Sequence, residues 1–141
     1  MITLEEALII GANARKPHQR VISRILATLS YRYYIEGSLS LEPLPETMFD
    51  EGQNSPTPDI ILYDNVMEET PVIIEITHTN GVKNDLMKVS RLIEETEYGI
   101  NEGFVYNYRR KEWHKYKHGE GIIKEKPSFC EAINLDLATL L

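Results

Sequence analysis

The stretch Pro71-Val72-Ile73-Ile74-Glu75-Ile76-Thr77 predicts a buried central β-strand, and it contains a carboxylate that such a strand does not normally hold. Its β-branched residues are typical of a strand that is covered on both faces of the sheet. Desolvation of a carboxylate there costs several kcal/mol unless a partner, a proton or a metal ion compensates. Glu75 is therefore the first candidate functional residue.

A second acidic residue, Asp59, opens the preceding apolar run Pro58-Asp59-Ile60-Ile61-Leu62-Tyr63. If this run pairs antiparallel with strand 71–77 through the polar turn at 64–70, the start of the first strand lies beside the end of the second. Asp59 and Glu75 then come close together at one edge of the sheet. Two neighbouring carboxylates favour Mg²⁺ or Mn²⁺, because hard cations prefer oxygen ligands.

The rest of the sequence predicts a single α/β domain over residues 1–141, with elements in the order α-β-β-β-α-β-β. Three successive strands, a crossover helix and further strands imply a mixed β-sheet flanked by helices. The predicted elements are a helix at 17–37, strands at 38–44, 59–63 and 71–77, a helix at 83–97, strands at 103–108 and 112–117, and a docked C-terminal helix at 132–141. A polar loop is expected at 43–58.

A lysine beside the two acids would orient an attacking water molecule or neutralise charge. The helix predicted at 83–97 begins near the C-terminal end of the Glu75 strand, so Lys83 and Lys88 are the candidates. Lys88 falls at the edge of the apolar stripe and can lay its methylenes along the sheet while its ammonium group reaches the acids. Lys83, in the loop or the first helical turn, is the alternative.

Three motifs in this order, Pro58-Asp59, Glu75-Ile76-Thr77 and a helix that carries Lys88, resemble the PD-(D/E)XK nuclease superfamily, and within it the Uma-type restriction endonucleases. That family pairs a Pro-Asp strand with a strand ending in Glu-Val-x-Ser, followed by an Asp and a Lys on the next helix. The likeness covers residues 17–117, and the start of the first helix at 17–21 is part of it. The resemblance implies a restriction-endonuclease-like fold, a divalent metal ion and hydrolysis of DNA phosphodiester bonds.

The superfamily lysine normally stands two residues after the glutamate, and that position is Thr77 in this chain. Uma-type proteins carry the lysine on the helix, which favours Lys88, with Arg91 as an outside candidate. The resemblance thus assigns metal binding to Asp59 and Glu75, with the Ile76 carbonyl completing the coordination, and water activation to Lys88.

Other residues have two interpretations each. Glu36 or Glu42 could supply an extra acid, and His78 could join the site or lie in an exposed loop. Cys130 has no basic neighbour in sequence and is expected to be structural. Aromatic residues could stack on bases or fill the core, with core packing preferred; they are Tyr31, Tyr33, Tyr34, Tyr106, Tyr108, Trp113 and Tyr116.

Composition restricts location and partners. The chain has no apolar stretch long enough to span a membrane, and its single cysteine fits a reducing compartment, so a cytoplasmic location without membrane association is expected. The net charge of −7 opposes nucleic-acid binding, but basic residues gather towards both ends, around an acidic centre. DNA is the predicted partner, and a homodimer is expected by analogy with other nucleases. The alternatives are an inactive nuclease-like module for binding or dimerisation, and a hydrolase of small phosphate esters.

Overall fold

The computed structural model describes residues 16–47, 49, 57–78 and 80–141. Most of the predicted loop at 43–58 lies outside these residues. The elements, in chain order, are α1 (Lys16–Ser30), a π-helical segment (Tyr31–Glu36), β1 (Glu42–Pro45), β2 (Ile60–Asp64), β3 (Glu69–Thr77), α2 (Val82–Glu95), β4 (Glu102–Asn107), β5 (Glu112–Lys117), β6 (Gly121–Ile123), β7 (Phe129–Cys130), β8 (Leu135–Asp136) and a 3₁₀ helix (Leu137–Leu140).

The main sheet has six strands in the order β1-β2-β3-β4-β5-β6. Neighbouring strands are antiparallel except β3 and β4, which run parallel because α2 carries the chain back across the sheet between them. Helices cover both faces. The predicted mixed sheet flanked by helices is therefore confirmed, with β6 as an additional strand at one edge.

Strand β3 divides the core into two layers, because its side chains alternate between the two faces of the sheet. Ile74 and its alternating neighbours pack against α1, where Ile25 is fully buried. On the other face, Ile73 packs against Val89 of α2. Each fully buried aliphatic side chain of this kind contributes about 1.5–3 kcal/mol. Glu75 lies on the α2 face of the strand, and its burial follows from its position in this layer.

Glycines allow α2 to approach the sheet closely. A Cβ atom on Gly103 of β4 would lie 2.2 Å from Cγ1 of Val89, and one on Gly81 would lie 2.0 Å from Oγ1 of Thr77. Neither position has room for a side chain, so the start of α2 rests directly on the C-terminal end of β3. This close approach places Lys88 and Asp85 over the end of the strand that carries Glu75.

A buried ion pair fixes the C-terminal segment to the sheet. Glu102 of β4 is fully buried, and Lys115 Nζ of β5 lies 2.8 Å from its carboxylate. The backbone N–H groups of Glu131 and Ala132 each donate to Glu102 at 2.8 Å, and Lys115 donates to the Phe129 carbonyl at 2.9 Å. Every charge in this cluster is therefore paired, as burial requires.

The C-terminal helix predicted at 132–141 is wrong. The Ala132 N–H donates to Glu102, the chain turns at Asn134, whose φ is 50°, and it then forms β8, which pairs with β7, and one 3₁₀ turn. The Asp136 side chain caps this turn by accepting from the Ala138 N–H. Leu137 is fully buried and docks the turn on the α1 layer, which explains the apolar pattern.

The strand predicted at 38–44 begins later, at Glu42. Gly37 has a left-handed φ of 68°, and the Ser38 N–H donates back to the Arg32 carbonyl at 2.9 Å, which ends the first helix. Leu39 and Leu41 are buried as part of the following loop, so their alternation imitates a strand. Among the described residues, no helix is both long and apolar enough to span a membrane.

Candidate active site

The acidic residues at the start of β2 and the end of β3 lie at the same end of the sheet. Ile60 pairs with Ile74, so the register brings Asp59 beside Glu75. Asp59 is held in place by the Ile76 N–H, which donates to its Oδ2 atom at 2.8 Å. Both acids face a cavity of about 470 Å³. The residues that line it are His18, Glu46, Thr57, Asp59, Glu75, Ile76, Thr77, His78, Asp85, Lys88 and Tyr108.

Glu75 is only 5% exposed and has an incomplete set of polar partners. Lys88 Nζ lies 3.0 Å from its Oε1 atom, and beyond this contact Oε1 has no hydrogen-bond donor among the described residues. Burial, and secondly the negative charge of Asp59, raise the pKa of Glu75 to about 8, although Lys88 opposes this shift. In this environment the carboxyl group holds a proton near neutral pH unless more positive charge arrives.

His18, near the start of α1, contacts both Asp59, just before β2, and Ile76 of β3. Its Nε2 atom lies 3.0 Å from the Ile76 carbonyl oxygen and 3.3 Å from Asp59 Oδ2. The hydrogen bond to Asp59 raises the pKa of His18 above its ordinary value, against the effect of burial. His18 lies in the segment 17–21 that resembles Uma-type proteins, but that resemblance predicts no role for it. Its contact with Ile76 spans 58 positions, so no local pattern could have revealed it.

A third carboxylate comes from the first turn of α2. Asp85 lines the cavity and interacts with the side chain of Thr77, the residue at the position where the superfamily lysine normally stands. Burial raises the pKa of Asp85, and the hydrogen bond with Thr77 opposes that shift. The sequence analysis noted an aspartate at this place only through the resemblance to Uma-type proteins.

Of the remaining candidate residues, only His78 lines the cavity that Asp59 and Glu75 face. Lys83 is exposed and lines a different groove, and Arg91 is exposed and does not reach the cavity. Glu42 accepts hydrogen bonds from Tyr34 and Asn65, away from the acidic cavity. Glu36 does not line the cavity either, whereas the half-buried His78 does. Cys130 is buried, in agreement with a structural role.

The donor set suits a hard divalent cation. Within the described parts of the chain, no three side chains of His, Cys, Asp or Glu form a metal-binding group. A cation would therefore rest on Asp59, Glu75, the Ile76 carbonyl and water, which is a common arrangement for Mg²⁺ because it retains several water ligands. The Glu75 oxygen without a hydrogen-bond donor fits such a cation, since its charge would compensate the buried carboxylate.

No protein-family model matches this sequence, and no curated protein matches it. Solved structures do match. A DUF820 protein from Anabaena variabilis, described as a candidate nuclease, superposes with a TM-score of 0.58 at 12% identity over 89% of this chain and 80% of its own. The type IIG restriction endonuclease BpuSI gives a TM-score of 0.57 at 10% identity over 86% of this chain, which spans only 15% of BpuSI. The predicted restriction-endonuclease-like fold is thereby confirmed, while the PD-(D/E)XK superfamily and its Uma subtype remain predictions.

Proposed function

We propose that this chain is a divalent-metal-dependent nuclease that hydrolyses DNA phosphodiester bonds. Asp59 and Glu75 would hold Mg²⁺ or Mn²⁺ together with the Ile76 carbonyl, and Lys88 would orient the attacking water. The observation that carries this proposal is the convergence of the two acids and the lysine on one cavity, at the point where β3 meets α2. The fold shared with a restriction endonuclease supports it by analogy.

In this proposal each side chain has a distinct task. When bound, a divalent cation polarises a phosphoryl oxygen and lowers the pKa of bound water. Asp59 is preorganised, because the Ile76 N–H fixes its Oδ2 atom at 2.8 Å. Glu75, whose pKa is raised in the metal-free protein, would release its proton to solvent and hold the cation as a carboxylate. Lys88 is 41% exposed, so its ammonium group can turn from Glu75 towards a phosphate without leaving water.

Cleavage of supercoiled plasmid DNA tests the proposal. The purified protein is expected to nick the plasmid with Mg²⁺ or Mn²⁺ and to be inactive in EDTA. Glu75→Ala is expected to abolish cleavage, and Lys88→Ala to slow it by about 10²-fold, the loss typical of a removed charge-stabilising group. Lys83→Ala is the matched control, because it removes an exposed lysine of the same helix outside the cavity. Cleavage by Glu75→Ala at the wild-type rate would refute the assignment.

The ion pair between Lys88 and Glu75 also favours a second function, a nuclease-like module that has lost activity and serves in binding or dimerisation. In that case a bound proton and the contact with Lys88 together satisfy the buried carboxyl group, residue 77 carries no charge because it is a threonine, and no metal ion is needed. Calorimetric titration with Mn²⁺ separates the two. Binding that disappears in Asp59→Ala and Glu75→Ala supports the nuclease, and absence of binding by the wild-type protein supports the module.

A further inference from the structure

A second cavity, of about 590 Å³, adjoins the candidate active site. The two cavities share Tyr108, whose backbone N–H donates to the Thr77 carbonyl at the end of β3 at 3.0 Å. The side chains that give this second cavity its character are Arg20, Arg24, Tyr106, Tyr108, Lys111 and Trp113, and we call it the basic groove. A ligand that occupied the basic groove could therefore continue past Tyr108 into the cavity of Glu75.

The basic groove carries positive charge that no acidic side chain of the described residues neutralises. Arg20 and Arg24 are exposed and one helical turn apart on α1, and Lys111 is exposed in the turn between β4 and β5. None of the three forms an ion pair with an acidic side chain of the described residues. No Asp or Glu side chain from those parts of the chain lines the groove. On a chain of net charge −7, such a surface favours a polyanion.

Aromatic rings form part of the wall of the basic groove. The Trp113 ring lies 4.6 Å from the Tyr106 ring at an interplanar angle of 39°, and Phe104 meets it edge-on at 6.3 Å. These contacts hold the indole firmly; Trp113 is half-buried, packs against the core on the α1 side of the sheet, and lines the groove with the remainder of its surface. Rigid, partly exposed rings beside basic side chains are the combination that binds unpaired bases, because every base has a face for stacking.

We propose that the basic groove binds an unpaired polynucleotide strand and leads it past Tyr108 to the candidate active site. Arg20, Arg24 and Lys111 contact the phosphates, and a base stacks at Trp113. The inference rests on the proposed nuclease function for what happens at the far end of the strand. An unpaired strand is the occupant rather than a duplex, because in a duplex the base pairs stacked above and below cover each base face, whereas an unpaired base can turn a face to the indole.

Trp113 is the only tryptophan of the chain, so its fluorescence reports on the basic groove directly. The wild-type protein is titrated in EDTA with oligo-dU and oligo-rU of about 12 nucleotides, a length within the usual range of single-strand sites. A duplex of the same length and tripolyphosphate serve as comparisons. The strands are expected to quench Trp113, and tripolyphosphate is expected to leave it unquenched because it has no base. The two strands decide whether deoxyribose or ribose is preferred.

The double variant Arg20→Ala/Arg24→Ala is expected to weaken strand binding by about tenfold at low salt. The slope of log affinity against log salt should fall by about 1.4, since each lost phosphate contact on a single strand contributes about 0.7. The matched control is Arg91→Ala/Lys124→Ala, which removes the same charge at exposed positions outside the groove. Lys111→Ala tests the other wall and does not depend on the stability of α1.

The inference is overturned if the strands quench Trp113 no more than tripolyphosphate does, if the duplex binds as tightly as the strand, or if the groove variants behave like the control. These measurements use no divalent metal and require no cleavage. Strand binding without cleavage in Mg²⁺ would refute the nuclease proposal and leave the basic groove intact. Plasmid cleavage without strand binding would refute the groove alone.

Discussion

Replacing Glu75 by glutamine is expected to stabilise the protein at alkaline pH and to have little effect at acidic pH. The amide has nearly the same shape but carries no charge to desolvate. The pKa of Glu75 rises from 4.5 to about 8 on folding. Each unit corresponds to about 1.4 kcal/mol, so the ionised group weakens the folded state by at most about 5 kcal/mol. Rearrangement of the half-exposed Lys88 reduces this, and a gain of about 2–5 kcal/mol is expected.

The sign follows from proton binding. Between pH 4.5 and about 8 the folded protein keeps a proton on Glu75 that the unfolded chain has already released. The free energy of unfolding of the wild-type protein therefore falls as pH rises through this window, because the folded state binds more protons. Below the window both states are protonated and Glu75 contributes no penalty. The glutamine variant lacks this slope, so the two stability curves separate as pH increases.

Urea unfolding in EDTA, followed by Trp113 fluorescence at about pH 5 and about pH 8.5, measures the effect. Glu95→Gln is the matched control, since Glu95 is an exposed glutamate at the end of α2. An advantage of Glu75→Gln that is the same at both pH values, or a variant less stable than wild type at the higher one, would refute the reasoning. It would show that burial does not impose a charge penalty on Glu75.

Three further outcomes are expected. Mn²⁺ at a hundred times its dissociation constant should stabilise the wild-type protein by about 2.7 kcal/mol and leave Glu75→Ala unchanged, as thermal unfolding would show; equal shifts would place the cation elsewhere. Glu102→Ala should cost about 3–5 kcal/mol in urea unfolding, because it leaves Lys115 buried without its partner, and a loss below 1 kcal/mol would contradict that pairing. Gly103→Ala should lower stability by about 1–3 kcal/mol and reduce cleavage, because the new Cβ atom would lie 2.2 Å from Cγ1 of Val89. Val89→Ala removes that methyl group, so the double variant should partly recover both stability and cleavage. If it recovers neither, this contact is not the cause.

The elements around Glu75 could be predicted because they depend on local patterns. β-Branched alternation identified β3, and a short polar turn joins it to β2, so the antiparallel pairing that brings Asp59 to Glu75 required only nearest neighbours in the chain. The crossover helix α2 followed from its apolar spacing. Its position over the end of β3 placed Lys88 within reach of the acids, and the observed distance to Glu75 is 3.0 Å.

What the sequence did not reveal depends on distant contacts. His18 reaches Ile76 only because α1 packs on the face of the sheet opposite to α2. The basic groove forms only because α1 faces the turn between β4 and β5. The C-terminal segment has helical spacing, but its residues 135–136 pair with β7 as β8, and the contacts of Glu102 with the Glu131 and Ala132 N–H groups hold this hairpin on the sheet. In each case a tertiary contact outweighs local propensity, and the sequence contains no short-range signal for it.

In the proposed nuclease, the position of Lys88 on a helix is explained by how closely α2 packs against the end of β3. A Cβ atom on Gly81 would lie 2.0 Å from Thr77 Oγ1. A side chain as long as lysine at residue 77 would therefore meet the start of α2. The short side chain of Thr77 leaves room for α2 to pack against the end of β3. This packing places Lys88 close to Glu75. Under the proposed nuclease function, Lys88 would therefore supply from the helix the positive charge that Thr77 cannot supply from the strand.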